Sequence, residues 1–394
     1  MPPFVDTDDK PATEYTREAM ESGLDQIVNN ARHMSLDYDR LKQVAGVLAR
    51  PTSENWITAY SDAGEHYTPT LPPMPDKNDL ELSDEEMLQW SIMSSSQGFL
   101  FWERDSTGRV KPLEMEIEGT WHIGGSGVEA CFRRAVRSGW NLLDANVLAD
   151  FTEEDAKRLY RDERTGTIKI QLLERRVGNF RALGRILRDR FDGQFLNVLK
   201  AADGYLYKPD GTGLIQIMMT DFRGIFHNDW PVCKRPNVDA FGLYMKRSAR
   251  NFAPEVDALL NFRDIEKAIP GADYYRPLWL IRTGILRISD EFQKMLSNTE
   301  LIEPQSDLEA EYRAFTVKAC LALANELGGW PEHATEVVLE SHAQPYLRCR
   351  RCEVGKPGGT DEGVPCSYTK VCAAYSEDNS LMAVQWPLVL GRWY

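Results

Sequence analysis

Apolar positions recur at intervals of three and four along most of this chain, and period-two alternation is confined to a few short runs. Met34, Leu36, Leu41, Val44, Val47 and Leu48 mark one such stripe over residues 31–49. Pro51 closes it, since proline lacks the N–H that a helix interior needs. Ser83 followed by Asp84, Glu85 and Glu86 predicts a helix start. A serine hydroxyl can accept an orphan backbone N–H there, and acids suit the positive end of the helix dipole. Thr152-Glu153-Glu154-Asp155 repeats the device ahead of a helix running to Tyr160. Residues 171–191 set Leu, Val, Phe and Ile against Arg at helical spacing, an amphipathic helix whose basic face is expected in solvent. Further helical blocks cover 213–222, 238–260, 277–296, 307–327 and 333–341, while strand signals are limited to 99–103 and 110–117.

The pattern predicts a mainly α protein, with one large helical domain over 31–394, a few short strands, and a flexible polar arm over 1–30. Pro69, Pro72, Pro73 and Pro75 make 61–79 a linker or surface arm, and 349–372 reads as a Cys-rich loop. With 394 residues and 42% hydrophobic side chains, a large core can be buried. No apolar run approaches the roughly 18 residues of a membrane helix, and no charged-apolar-small leader begins the chain, so no membrane partner and a cytoplasmic location are expected. A net charge of -14 argues against a broad nucleic-acid surface. It leaves room for a small anionic ligand, which needs just a few convergent cations.

Of seven cysteines, Cys131, Cys233 and Cys320 are isolated and read as small buried hydrophobes. Cys349, Cys352, Cys366 and Cys372 are crowded beside His342, in a Cys-x2-Cys and Cys-x5-Cys spacing. Thiolates so spaced can hold zinc, but the second pair is wide and the connection is loop-like, so free thiols and no metal or cofactor are expected. Gly124-Gly125-Ser126-Gly127 lacks the Lys of a phosphate loop and reads as the turn that starts the helix over 128–138. His122 and His342 read as structural histidines.

Candidate chemistry concentrates between Tyr244 and Pro277, where Lys246, Arg247, Asp264 and Asp273 interrupt otherwise apolar segments. Here Phe262-Arg263-Asp264-Ile265 is followed, nine residues after Asp264, by Asp273 in Ala272-Asp273-Tyr274, with Pro277 beyond. This spacing resembles the queuosine salvage proteins, which hydrolyse queuosine 5′-phosphate. Other stretches carry the resemblance independently: Phe99, Phe101 and Trp102; Gly119-Thr120-Trp121; Glu174-Arg175 and Gly184; Phe195-Leu196-Asn197 with Lys200; and Glu309, Glu311 and Arg313. The Tyr-Lys-Arg element of the family survives as Tyr244-Met245-Lys246-Arg247.

The resemblance implies a helical fold like the helix-hairpin-helix DNA glycosylases and hydrolysis of an N-glycosidic bond, with a small nucleotide as partner. Such hydrolysis passes through an oxocarbenium-like state that a carboxylate must stabilise, and Asp264 or Asp273 can supply it. Pro270-Gly271 lies between them, so they converge through a turn or not at all. The competing structural roles are a helix cap for Asp273 and an ion pair with Arg263 or Lys267 for Asp264. Phe99, Phe101 and Trp102 form the expected stacking platform for the base, against an ordinary core cluster. Lys246 and Arg247, with Lys200 third, are the expected phosphate cations, against a surface pair. By resemblance Trp121, Tyr244, Glu311 and Arg313 join the substrate-binding set.

Three departures mark a divergent member. Ser95 replaces a family Asp, Gly98 replaces an Asn, and Gln344-Pro345-Tyr346 replaces Trp-Asp-Tyr, with Glu340 the nearest substitute carboxylate. The alternatives are a relative re-purposed for another nucleotide-bearing or aminoacyl substrate, and a nucleotide-binding module without turnover.

Overall fold

A computed structural model describes residues 10–49, 80–106, 108, 110–226, 229–333, 337, 341, 345, 349, 352 and 366–391. The expectations for 61–79, Glu340, His342, Gln344 and Tyr346 fall outside the described residues, as does most of the block over 333–341.

Helix α1 (Arg17–Asn29) starts at Thr16, whose side chain accepts the N–H of Ala19. Met20 and Leu24 on its inner face are buried, as is Tyr15 just before it. Gln216 Nε2 donates to the carbonyls of Ala12 and Tyr15, at 3.3 and 3.1 Å. The flexible arm expected over 1–30 is therefore, from Lys10 onward, built into the body of the protein.

The stripe over 31–49 is divided between β1 (Met34–Leu36) and α2 (Tyr38–Leu48), with Asp37 as the cap. It is not one helix because β1 pairs antiparallel with Leu286–Ile288, which fixes 34–36 extended. Ser83 caps α3 (Asp84–Ser96) in a full capping box with Glu86, and 87–96 are buried on every side. Four short strands follow, β2 (Trp102–Arg104), β3 (Val110–Pro112), β4 (Glu114–Ile117) and β5 (Thr120–Ile123), as two antiparallel pairs. Next come α4 (Gly125–Arg137), α5 (Ala145–Ala149), and α6 (Glu153–Leu159) with the predicted Thr152–Asp155 box.

Helix α7 (Leu173–Arg190) matches its prediction, but its basic face is not wholly solvated, since Arg176 is fully buried. Gly184 permits the close crossing of α5 and α7: a Cβ there would lie 2.2 Å from the Ala149 nitrogen. Helices α8 (Phe195–Ala202), α9 (Leu214–Thr220) and α10 (Arg223–Phe226) precede α11 (Lys234–Ala249) and α12 (Pro254–Leu260). The single block expected over 238–260 is thus two helices, the second starting on Pro254, where a missing N–H costs nothing. The block over 277–296 is likewise interrupted. Helix α13 (Arg276–Thr283) stops at left-handed Gly284, β6 (Leu286–Ile288) pairs with β1, and α14 (Asp290–Ser297) begins at Ser289. A two-residue strand β7 (Leu301–Ile302), helix α15 (Asp307–Leu327), helix α16 (Ala373–Ser376) and strand β8 (Leu388–Val389) complete the described elements.

The mainly helical class is as predicted. Two buried apolar clusters organise it. One gathers α3, α4, α7, α8, α9 and α11, and the other gathers α2, α13, α15 and the C-terminal Trp386 and Leu388. The chain passes between them twice at positions that matter below. Met93 belongs to the first cluster and Phe99 to the second, while Ala272 belongs to the first and Tyr274 to the second. Among the described residues no helix is long and apolar enough to cross a membrane.

Candidate active site

The densest set of buried charges lies at the start of α11. Asp229 organises that start: its backbone oxygen accepts the Cys233 N–H at 2.7 Å and its carboxylate accepts the Lys234 N–H at 2.6 Å. The same carboxylate pairs with Arg313, which is fully buried on α15 and lies 3.4 Å from Glu309. Lys234 and Arg235, the first two residues of the helix, are also buried. Burial pulls both cations below their ordinary pKa, and Asp273 opposes the shift at Lys234.

Lys234 Nζ reaches an oxygen of Asp273 at 2.9 Å. The other Asp273 oxygen accepts the Tyr275 N–H at 3.0 Å, and the side chain keeps 18% exposure. The 270–271 turn delivers Asp273 by lying directly on α11. A Cβ on Gly271 would be 2.3 Å from Val238 Cγ2, so glycine is what lets the turn approach.

Helices α3 and α11 run antiparallel and meet along polar side chains. Gly98 lies opposite Arg235, Ser95 opposite Asp239, and Ser91 opposite Lys246. Arg235 donates to the Gly98 carbonyl at 2.6 Å and to Ser95 Oγ at 3.0 Å, and Ser95 Oγ in turn donates to Asp239. Burial pushes Asp239 up to about 6, with Arg235 opposing. Lys246 donates to Ser91, and its burial draws it down to about 8. Beyond it, Glu129 accepts from Ser94 and from Trp90 Nε1 at 3.0 Å, and burial pushes it up to about 7. Sparing a Cβ at Gly98 makes this seam possible, because one would stand 3.2 Å from the Arg235 guanidinium.

The aromatic element joins the Asp273 segment through two tyrosines. The Phe101 N–H donates to Tyr274 Oη at 3.2 Å, Tyr274 Oη donates to Tyr275 Oη at 2.9 Å, and Tyr275 Oη donates to the Phe101 carbonyl at 3.3 Å. Phe101 is partly buried, and its ring lies 3.3 Å from where a Gly125 Cβ would sit, so the glycine start of α4 packs on it. Phe99 is fully buried under Arg176, whose guanidinium is 4.0 Å from the ring centre, and Trp102 is buried on β2. Trp121, partly buried on β5, faces Arg164 and Lys169 at 5.3 and 5.9 Å.

Other predicted residues are engaged elsewhere. Both oxygens of Asp264 accept backbone N–H groups, from Leu206 at 2.7 Å and Tyr207 at 3.1 Å, with Lys267 at 3.7 Å. Arg247 forks onto Asp257 at 2.8 and 2.9 Å and reaches Asn261 at 2.7 Å, tying α11 to α12, and Tyr244 lies against its guanidinium. Lys200 is exposed near the end of α8, 3.5 Å from Asn197. Glu311 accepts the N–H groups of Arg32 and His33 at 3.0 and 2.8 Å. The structure thus gathers Asp273, Phe101 and, through Asp229, Arg313, and adds Lys234, Arg235 and Asp239. Sequence reading passed over these three, although Arg235 and Asp239 stand one helical turn apart and signal a pair.

The pattern defining the queuosine salvage protein family matches residues 78–342. This chain belongs to that family. The span contains every residue of the seam and ends before the cysteine-rich stretch over 349–372. The Schizosaccharomyces pombe queuosine 5′-phosphate N-glycosylase/hydrolase is 27% identical over 247 residues, covering 60% of this chain and 68% of its own. The mouse protein of that name is 23% identical over 362 residues, 89% of this chain and 96% of its own, and the Nematostella vectensis one 26% over 255 residues, 61% and 67%.

Proposed function

We propose that this chain hydrolyses the N-glycosidic bond of a queuosine-type 5′-nucleotide and releases the free base. The observation that carries the reading is the family match across 78–342, strengthened by the shared activity name of relatives from fungi and animals. Asp273 is the carboxylate we assign to the developing ribosyl cation. It combines charge, fixed position and accessibility: Lys234 and the Tyr275 N–H hold it, yet its side chain is part-exposed. A carboxylate fixed before the reaction stabilises the transition state without reorganising, which is where electrostatic catalysis gains most. Asp264 suits this role less, because its side chain is 6% exposed against 18% for Asp273 and holds the backbone of Leu206 and Tyr207.

Phe101, partly buried, offers the aromatic face for the base, while its sequence neighbours Phe99 and Trp102 are buried. Arg235 and Asp239 supply a paired donor and acceptor at the same seam, suited to a polar edge of the ligand. A partly protonated Asp239 also puts an acid near neutral pH within this set.

The test is incubation of the purified protein with queuosine 5′-phosphate, followed by chromatographic detection of free queuine. Release of base above the no-enzyme background is expected. Absence of release, with the nucleotide still raising the melting temperature, would leave a binding module in place of a hydrolase.

A further inference from the structure

Outside the family match, the four clustered cysteines converge on one small cavity. Cys349, Cys352, Cys366 and Cys372 all line it, together with Trp279 and Arg282 of α13. All four carry thiols and none is in a disulfide. Two segments separated in sequence therefore line the same cavity, which Cys-x2-Cys spacing alone does not require. Cys349 and Cys352 sit in a tight turn, the Cys352 N–H donating to the Cys349 carbonyl at 3.2 Å.

Arg282 supplies an independent pointer. It is buried, its terminal nitrogens donate to the carbonyls of Cys349, Met382 and Val384, and its Nε has no hydrogen-bond partner among the described residues. A guanidinium kept out of water and lining the same cavity as these cysteines is electrostatically suited to an anionic centre. Neutral thiols leave it facing dipoles alone. Four thiolates around a divalent ion carry a net charge of about -2, which a buried cation offsets.

We propose that Cys349, Cys352, Cys366 and Cys372 bind one zinc ion, with Arg282 as the positive group beside it. Binding replaces four S–H bonds by four Zn–S bonds and releases four protons, so no oxidant or reductant is involved. Among the described residues no group of three or more His, Cys, Asp or Glu side chains is placed to hold a metal ion, so binding requires these four thiols to move closer together. The spacing alone favours free thiols; the common cavity and Arg282 reverse that preference. In the metal-free protein the Cys372 thiol donates to the Arg282 carbonyl at 3.2 Å and ties the tail to α13, a bond that gives way to Zn–S bonding when the thiol loses its proton. That helix follows directly on Asp273, Tyr274 and Tyr275, which gives the ion a structural role next to the seam.

The experiment uses the full chain produced in zinc-supplemented medium and dialysed against metal-free buffer. Elemental analysis is expected to find about one zinc per chain, released in step with titration of the thiols by a mercurial. Cys352→Ser and Cys366→Ser should each lose it, and Cys320→Ser should retain it. Because serine variants can fail to fold, cobalt is added in parallel to the metal-stripped wild type, where sulfur-to-cobalt charge-transfer absorption is expected. A zinc-free protein that takes up no cobalt overturns the proposal. So does zinc that survives loss of the tail cysteines, or fewer than seven reactive thiols in the unfolded, unreduced chain, which would mean a disulfide instead.

Discussion

Lys234 Nζ lies 2.9 Å from an oxygen of Asp273, and the pair stands where the chain crosses from one apolar cluster to the other. Removing the charge from Asp273 while keeping its volume isolates its electrostatic role. Asp273→Asn is expected to lower single-turnover base release by roughly 10² or more, with nucleotide binding changed far less. Asp264→Asn should instead act on stability, since its carboxylate holds the backbone of Leu206 and Tyr207. Full activity in a folded Asp273→Asn protein would remove Asp273 from the mechanism.

The α3–α11 seam predicts an unusual dependence of stability on pH. Folding raises Glu129 from 4.5 to about 7 and Asp239 from 3.8 to about 6. Both bind a proton more tightly when folded, so the stability they contribute is complete below their ordinary values and is lost as pH rises through about 6 and about 7. Lys246 is drawn the other way, from 10.5 to about 8, so stability returns as pH climbs above about 8. Urea unfolding should therefore show a decline on the order of 1–3 kcal/mol between about pH 5 and about pH 7.5. Glu129→Gln should flatten most of that decline. A wild-type protein that gains stability across this window would contradict the assignment.

Much of this was legible in the sequence, for identifiable reasons. The capping boxes at Ser83 and Thr152 and the uninterrupted period of α15 depend on neighbours three and four residues apart, so they survive any tertiary context. The division of 31–49 was not legible, because its extended start is imposed by Leu286–Ile288, some 250 residues away. The site divides in the same way. Asp273 and the aromatic element are marked by motif, whereas Lys234, Arg235 and Asp239 acquire meaning only when α3 lies against α11. Arg247 looked like a ligand cation because nothing local shows that α12 folds back to meet it.

That contact makes Arg247 a test of position against charge. Its fork onto Asp257 is largely at the surface, where such pairs are worth about 0.2–1 kcal/mol. Arg247→Ala is expected to lower stability by about that amount and to weaken binding of the phosphorylated and dephosphorylated nucleosides equally. A loss confined to the phosphorylated ligand, measured by calorimetry, would restore Arg247 as a phosphate contact.

The buried pair behind the α11 start should be far more costly to break. Arg313 is fully enclosed, and Asp229 lies nearer to it than Glu309, which stands 3.4 Å away. Asp229→Ala takes the nearer carboxylate from the buried guanidinium and frees the Lys234 N–H, for a loss of roughly 3–5 kcal/mol in urea unfolding. A cost below about 1 kcal/mol would mean that Glu309 alone neutralises Arg313.

Gly98 gives the most local test of the seam. A methyl group there would meet three guanidinium atoms of Arg235 at 3.2–3.3 Å, and that guanidinium is itself held by the Gly98 carbonyl and Ser95. Arg235 would have to shift by a few tenths of an ångström against those bonds, so Gly98→Ala should cost about 1–3 kcal/mol, the usual range for overfilling a packed site. Gly46 provides the control. It lies inside α2, a Cβ there meets nothing within 4 Å, and Gly46→Ala should be neutral or stabilising by up to about 1 kcal/mol, because alanine restricts the unfolded chain. Differential unfolding of the two variants decides the matter. If Gly98→Ala is as harmless as Gly46→Ala, Arg235 is not fixed at the seam, and its pairing with Ser95 and Asp239 loses its structural basis.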